Sequence, residues 1–408
     1  DTDAPVVDTD AAPTPCAAGV AAHIGPAAFA DLQAALDATA PGDTVDVCPG
    51  AYGALYTITA DGDLTLRSFT DDPTDVVFDP QGLHGSLFVD GSDLRLTLRA
   101  LTFRNGFAGE FLPPTWGRGG AASLSADHRL ATTALTVERC AFHDSVSWHM
   151  GSALYADGFA TVTLSDLTVA GNRSDSGAAI TLDRVLNAVT VSRSTFTANE
   201  GGATGALGIY RATASPADFE VLLEDSAFTA NVGTSGARGS AVHLSSDGPG
   251  TTHLRVRASS FTHNVEIPDV SRNVSLSGAL YLGNTSGRGT LEADIEDSSF
   301  DGNVGDGASH LRFDHANDTT TGQLRIARST FTGGASTGVY DAEDYFGEFG
   351  AAIHASYPLI PGRPPRSDVT LTDVTFGPSP YPAFPRCTAT YTGSLSGVVR
   401  PYDAVWCP

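Results

Sequence analysis

Ala188-Val189-Thr190-Val191-Ser192-Arg193-Ser194-Thr195-Phe196-Thr197-Ala198-Asn199 is the stretch that decides the fold. Its tripeptide Ser-Thr-Phe196, small-x-large apolar, recurs along the chain. The other copies are Leu-Thr-Phe103, Cys-Ala-Phe142, Leu-Thr-Val169, Ser-Ala-Phe228, Ser-Ser-Phe261, Ser-Ser-Phe300, Ser-Thr-Phe331 and Val-Thr-Phe376. Spacings of 39, 27, 27, 32, 33, 39, 31 and 45 residues separate them. Such spacings are too uneven for a helical repeat and suit one coil of a β-solenoid with loops of varying length.

Taking the closing apolar residue as position zero brings further columns into line. Position minus five holds Val137, Leu164, Val191, Leu223, Val256, Ile295, Ile326 and Leu371, and minus seven holds Leu135, Val162, Val189, Val221, Leu254, Ala293, Leu324 and Val369. Alternation within each run marks a strand with one face inward. Parity slips before the tripeptide, so a corner falls at minus four and minus three. There stand Arg139, Asp166, Arg193, Asp225, Ala258, Asp297, Arg328 and Asp373, which often set opposite charges on adjacent coils as register marks. Three residues after zero stand Asn172, Asn199, Asn231, Asn264 and Asn303, suited to a second corner where asparagine tolerates a left-handed backbone and can bond along a ladder.

A third strand, small-small-aliphatic, reads Ser-Ala-Leu154, Ala-Ala-Ile180, Gly-Ala-Leu207, Ser-Ala-Val242, Gly-Ala-Leu280 and Ala-Ala-Ile353, with a looser copy at Leu311. Three short strands per coil predict an all-β chain, a right-handed parallel β-helix of three sheets over 53–376. Its open ends need covers. Phe29, Leu32 and Leu36 place a short capping helix before Pro41-Gly42, so 16–52 reads as the amino-terminal cap and first coil. Residues 377–408 break the pattern and read as a carboxy-terminal cap. Cys16 with Cys48, and Cys387 with Cys407, could each staple one end, which fits an oxidising compartment. Cys140 occupies the column of Ser194, Ser226, Ser259, Ser298 and Ser329 and reads as a buried small residue.

Composition narrows the function. A formal net charge of −24 argues against nucleic acid, because phosphate contacts need a basic face. No lysine occurs; the 23 cationic residues are all arginine, which removes Schiff-base chemistry. No run of about 18 apolar residues exists, so no segment reads as a membrane span. Residues 1–15, with Asp-Thr-Asp at 1–3 and again at 8–10, read as a disordered acidic tether whose targeting signal lies upstream. The leader resembles the spacer behind the lipid-bearing cysteine of bacterial lipoproteins, although that cysteine is absent from the sequence.

Phe-x-x-Asn together with Gly-[Gly/Ser/Ala]-Ala-[Leu/Ile/Val] resembles the repeat of the polymorphic outer-membrane proteins, which implies the right-handed β-helix of the pectin-lyase-like superfamily. The opening from Phe29 to Tyr52 is similar to the cap of such proteins. The resemblance covers about residues 27–376. It implies a fold shared by adhesins, lyases and hydrolases, not one activity. Residues 377–408 do not read as the carboxy-terminal membrane barrel of the polymorphic proteins, so self-translocation is not expected from the resemblance.

On a solenoid, chemistry belongs to outward residues of one sheet and the loops beside it. The outward column of the third strand is expected to read Ser125, Tyr155, Thr181, Gly208, His243, Tyr281, Arg312 and His354, a stripe either for an extended polymer or of ordinary solvated wall. Loops beside it carry Glu110 and Trp116, then Trp148, and later Asp341 and Asp344. The tryptophans could stack on sugar rings or seal the wall. The acidic loop could bind a cation or supply general acids. Two oxygen-rich strings, Asp301-Gly-Asn303-Val-Gly-Asp306 and Asp314 with Asn317 and Asp318, could take calcium but miss the EF-hand spacing; no other cofactor or metal is indicated. A superfamily lyase would need a base beside clustered acids, and the expected stripe holds no carboxylate; no nucleophile-elbow or zinc-protease string occurs. The sequence therefore points to a secreted or surface-tethered bacterial binding, adhesive or structural protein engaging glycan or protein. A polysaccharide lyase or glycoside hydrolase is the first alternative and a self-associating fibre subunit the second.

Overall fold

The computed structural model describes residues 16–109, 117–127, 129–213, 218–234, 238–267, 278–284, 289–305, 308–315, 322–336, 351–356, 367–377, 384–385 and 389–392. Strand β1 (Ala22–Ile24) pairs antiparallel with β2 (Ala27–Phe29) and with β3 (Asp43–Val47). From β3 onward every pairing is parallel and joins one coil to the next, so the chain is a parallel β-helix. Among the described residues its sheets have 14, 11, 8 and 11 strands.

The expected columns are the observed rungs. Leu135, Val137 and their equivalents face inward from the 14-stranded sheet, and the tripeptides form an 11-stranded phenylalanine sheet. Phe196, Phe228, Phe261, Phe300 and Phe331 stack face to face with centroids 4.6–5.0 Å apart. Before it, separated by the Val169 rung, Phe142, Phe103, Phe78 and Tyr52 form an earlier run of ring contacts, in which the Phe78 coil is one that the sequence reading passed over. Full burial of each ring removes about 2–3 kcal/mol of apolar hydration. Repetition of that term along the axis drives the coil to close.

Two details differ from expectation. The corner before the tripeptide is left-handed at one residue, position minus three, where Ala100, Arg139, Asp166, Arg193, Asp225, Ala258, Asp297, Arg328 and Asp373 have φ between 45° and 55°. At the next corner the left-handed residue is not the asparagine but the one before it, as at Ala198, Ala230 and His263. Each asparagine instead turns inward. Asn172 donates through Nδ2 to Oδ1 of Asn199 at 3.0 Å, Asn199 to Asn231 at 3.0 Å, Asn231 to Asn264 at 2.9 Å and Asn264 to Asn303 at 3.0 Å. The same amides donate to the carbonyls of the stacked tripeptide residues, for example Asn231 to Phe196 at 3.0 Å. Beyond this corner lies a fourth sheet of two-residue strands such as Arg173–Ser174, too short to show as periodicity.

At the amino-terminal end, helix α1 (Leu32–Asp37) is capped by Asp31, whose carboxylate accepts from the Ala34 amide at 2.9 Å. Leu32, Ala35 and Leu36 bury against the first coil, and Gln33 clamps the Thr57 backbone in both directions at 2.8 and 2.9 Å. Phe29 belongs to β2 rather than to the helix. Cys16 and Cys48 form a disulfide; Cys387 and Cys407 lie outside the described residues. Cys140 is buried and free, and burial pushes its thiol up to about 12. No helix of the described residues is long and apolar enough to cross a membrane.

Candidate functional site

The second 11-stranded sheet carries the small-small-aliphatic strands, with Leu154, Ile180, Leu207, Val242 and Leu280 inward. Its outward column runs Ser123, Tyr155, Thr181, Gly208, His243, Tyr281, Arg312, His354 in register. Ser123, not Ser125, belongs to it: Ser125 pairs with Asp157 one outward position further on. Alternation alone cannot distinguish the two, because a strand offers an outward residue at every second place.

The column is not open wall. Tyr155 and His243 are 3% exposed and Tyr281 1%. Arg118 donates to the Tyr155 hydroxyl at 3.1 Å and lies over its ring, and Arg238 lies over the Tyr281 ring. Tyr210, His243 and Tyr281 meet edge to face at 5.1–5.2 Å. Burial, then the Arg238 charge, lowers the His243 imidazole to about 3, so it is neutral near pH 7. Burial, with the charges of Asp183 and Asp157 behind it, raises the Tyr155 hydroxyl, which donates to Asp183 at 3.1 Å. Neither group is poised to exchange a proton near neutral pH.

Carboxylates do converge one position along, where Asp90, Ser125, Asp157 and Asp183 pair on consecutive rungs. This row was missed because only the first outward column was read. Arg184 holds Asp157 through two hydrogen bonds, one at 2.6 Å, and Asp183 receives the Tyr155 proton donor. Further along, Arg312 donates to Asp314 at 2.8 and 3.0 Å. Asn303 is part of the inward ladder and accepts from Asn264, which turns its amide oxygen away from the first oxygen-rich string. Trp148 is 45% exposed. Glu110, Trp116, Asp306, Asn317, Asp318, Asp341 and Asp344 lie outside the described residues, and of His354 only the strand position is described.

The open, regular face is the outside of the phenylalanine sheet. Residues on either side of each stacked ring point outward, giving two rows. One runs Thr168, Thr195, Ala227, Ser260, Ser299, Thr330; the other runs Ala170, Thr197, Thr229, Thr262, Asp301, Thr332. All of them are half-exposed or exposed. Between Phe196 and Phe331 the ring planes turn by only 3–8° per rung, so this stretch of sheet is nearly untwisted. Asp301 is the single charge in the two rows, and it accepts from the Thr332 hydroxyl. Thr197, Thr229 and Thr262 make no side-chain hydrogen bond among the described residues. The signal for this face was in the sequence, at the middle place of each tripeptide and the place after it, but reads there only as β-propensity.

No protein-family model matches this chain, and no curated protein matches it. Among solved structures, a mannuronic acid specific polysaccharide family 6 lyase enzyme from human gut microbiota aligns over 91% of this chain and 89% of its own. Identity over that alignment is 14% and the TM-score 0.31. The fold assignment rests on the strand pairing above and not on this likeness.

Proposed function

We propose that this protein is a secreted or surface-tethered binding rod that holds a neutral, extended glycan along the flat threonine face of its phenylalanine sheet. The two outward rows carry the reading: hydroxyl and methyl groups recur on an untwisted lattice set by rings 4.6–5.0 Å apart. A hydroxyl both donates and accepts, so a row of them can meet the hydroxyls of a sugar chain without a fixed polarity. Individually weak contacts then add through a shared chain, which raises avidity without any deep pocket. A net charge of −24 repels polyanions, which favours a neutral polymer over an acidic one. The Cys16–Cys48 bond suits an oxidising, extracellular setting. Tyr155 and His243, the residues a lyase or hydrolase would recruit from the aliphatic sheet, sit sealed and away from neutral titration, which supports binding over catalysis.

Sedimentation with insoluble neutral polysaccharides, beside polyuronates as acidic controls, tests the reading. Retention on a neutral polymer is expected, with Thr229→Arg combined with Thr262→Arg lowering it about tenfold while the circular dichroism spectrum stays the same. Unchanged retention in that variant, or the release of unsaturated or new reducing ends by the wild type, would overturn it.

A further inference from the structure

We propose that the amino-terminal staple is also a metal site: once the Cys16–Cys48 bond is reduced, the two thiolates and the His23 imidazole bind one zinc-class divalent cation.

The pleat builds the cluster. Ala22 and Val47 pair on the inward face of the β1–β3 ladder, so His23, opposite Asp46, and Cys48, next along, share the outward face. The Cys48 amide donates to the Ala21 carbonyl at 2.9 Å, which fixes the two strands at this point. Cys16 comes in from the leader and covers both. One ligand atom from each of Cys16, His23 and Cys48 lies within 4.8 Å of the others.

His23 supplies the independent observation. It is 2% exposed, lies 5.9 Å from the Phe69 ring, and neither Nδ1 nor Nε2 has a hydrogen-bond partner among the described residues. Buried polar groups are nearly always paired, and an exception calls for a missing partner. A disulfide gives an imidazole little to bond to, whereas two thiolates beside it complete a donor set of the kind zinc prefers. Tetrahedral zinc with sulfur ligands at about 2.3 Å needs the sulfurs roughly 3.8 Å apart. The 5.7 Å separation of the two Cα atoms permits that by rotation about the Cα–Cβ bonds. Asp46 is held by Arg67 at 2.5 Å, so water or an exogenous anion takes the fourth position.

A trialkylphosphine supplies the reduction. Phosphorus attacks one sulfur, the other cysteine leaves as thiolate, and water converts the phosphonium adduct to phosphine oxide and the second thiol. The cation then displaces the two thiol protons and accepts the lone pair of one His23 nitrogen, while the other keeps its hydrogen.

The test uses the full chain with Cys387→Ser and Cys407→Ser, so that the amino-terminal pair is the only pair of thiols able to act together. After phosphine reduction and desalting, one equivalent of zinc per chain is expected, and none before reduction. Cobalt(II) should give the intense visible bands of a tetrahedral thiolate site. His23→Gln should weaken cobalt binding at least tenfold, with circular dichroism reporting that the solenoid remains folded. Cys140→Ser should change nothing. Absence of metal from the reduced, folded chain would overturn the proposal, as would cobalt bands of undiminished strength in His23→Gln.

Discussion

Asn231 shows how much a single side chain does in this architecture. Its amide donates to Phe196 and Asn264, and its oxygen accepts from both the backbone and side-chain amides of Asn199. Asn231→Ala strands these partners in a dry interior, where each unpaired group costs about 1–3 kcal/mol. Relaxation of neighbours offsets part of that, so a loss of about 3 kcal/mol is expected in urea denaturation. Asn231→Asp should lose more at pH 7, because its new oxygen faces the carbonyl of Phe196. A loss below about 1 kcal/mol for both would mean that the ladder is ornament. The ladder was legible in the sequence because identical residues recur at a fixed offset. The left-handed residue beside it was not: Ala198 and Ala230 carry no compositional sign of their backbone angle, which the closing coil imposes on them.

At the scale of the element, the charged corner column ties neighbouring coils together. Asp71 receives Arg99 and Arg139, Asp166 receives Arg193 at 2.8 Å, and Asp297 receives Arg328 at 2.7 Å. Hydrogen bonds from these guanidinium groups hold all three carboxyls below the usual carboxylate range. A carboxyl depressed in the folded state stabilises it above the unfolded pKa of about 3.9 and loses that contribution as pH falls toward the folded value. Stability should therefore decline below about pH 4. Arg99→Gln with Arg139→Gln should make that decline shallower in urea titrations between pH 5 and pH 2, because Asp71 then titrates almost alike in both states. An identical slope would show the pairs to be thermodynamically silent, the common fate of exposed ones. The aliphatic sheet marks the limit of reading at this scale. Its inward residues follow from alternation, but the burial of Tyr155 and Tyr281 depends on Arg118 and Arg238 arriving from loops that obey no period.

For the whole molecule, stability is a sum over stacked neighbours, so position along the axis decides the cost of a defect. Phe228 is sandwiched between Phe196 and Phe261 at 4.7 and 5.0 Å. Phe376 meets Phe331 at 5.6 Å with a 24° tilt, near the end of the stack. Phe228→Ala should cost about 3–5 kcal/mol. Phe376→Ala should cost clearly less, since fraying of the last rung absorbs it. Hydrogen exchange in the central coils separates the cases: it should accelerate in the first variant and hold in the second, and acceleration in both would argue that the solenoid unfolds as one block.

The coils from Phe196 to Phe331 take between 31 and 39 residues each, yet their rings stay 4.6–5.0 Å apart. Vertical pitch is thus independent of contour length. Foreign peptide spliced between a two-residue strand and the aliphatic strand after it would pass unnoticed by the coils above and below. Evolution can graft there without retuning the interior, and so can an engineer who wants epitopes presented at regular heights on a stiff post.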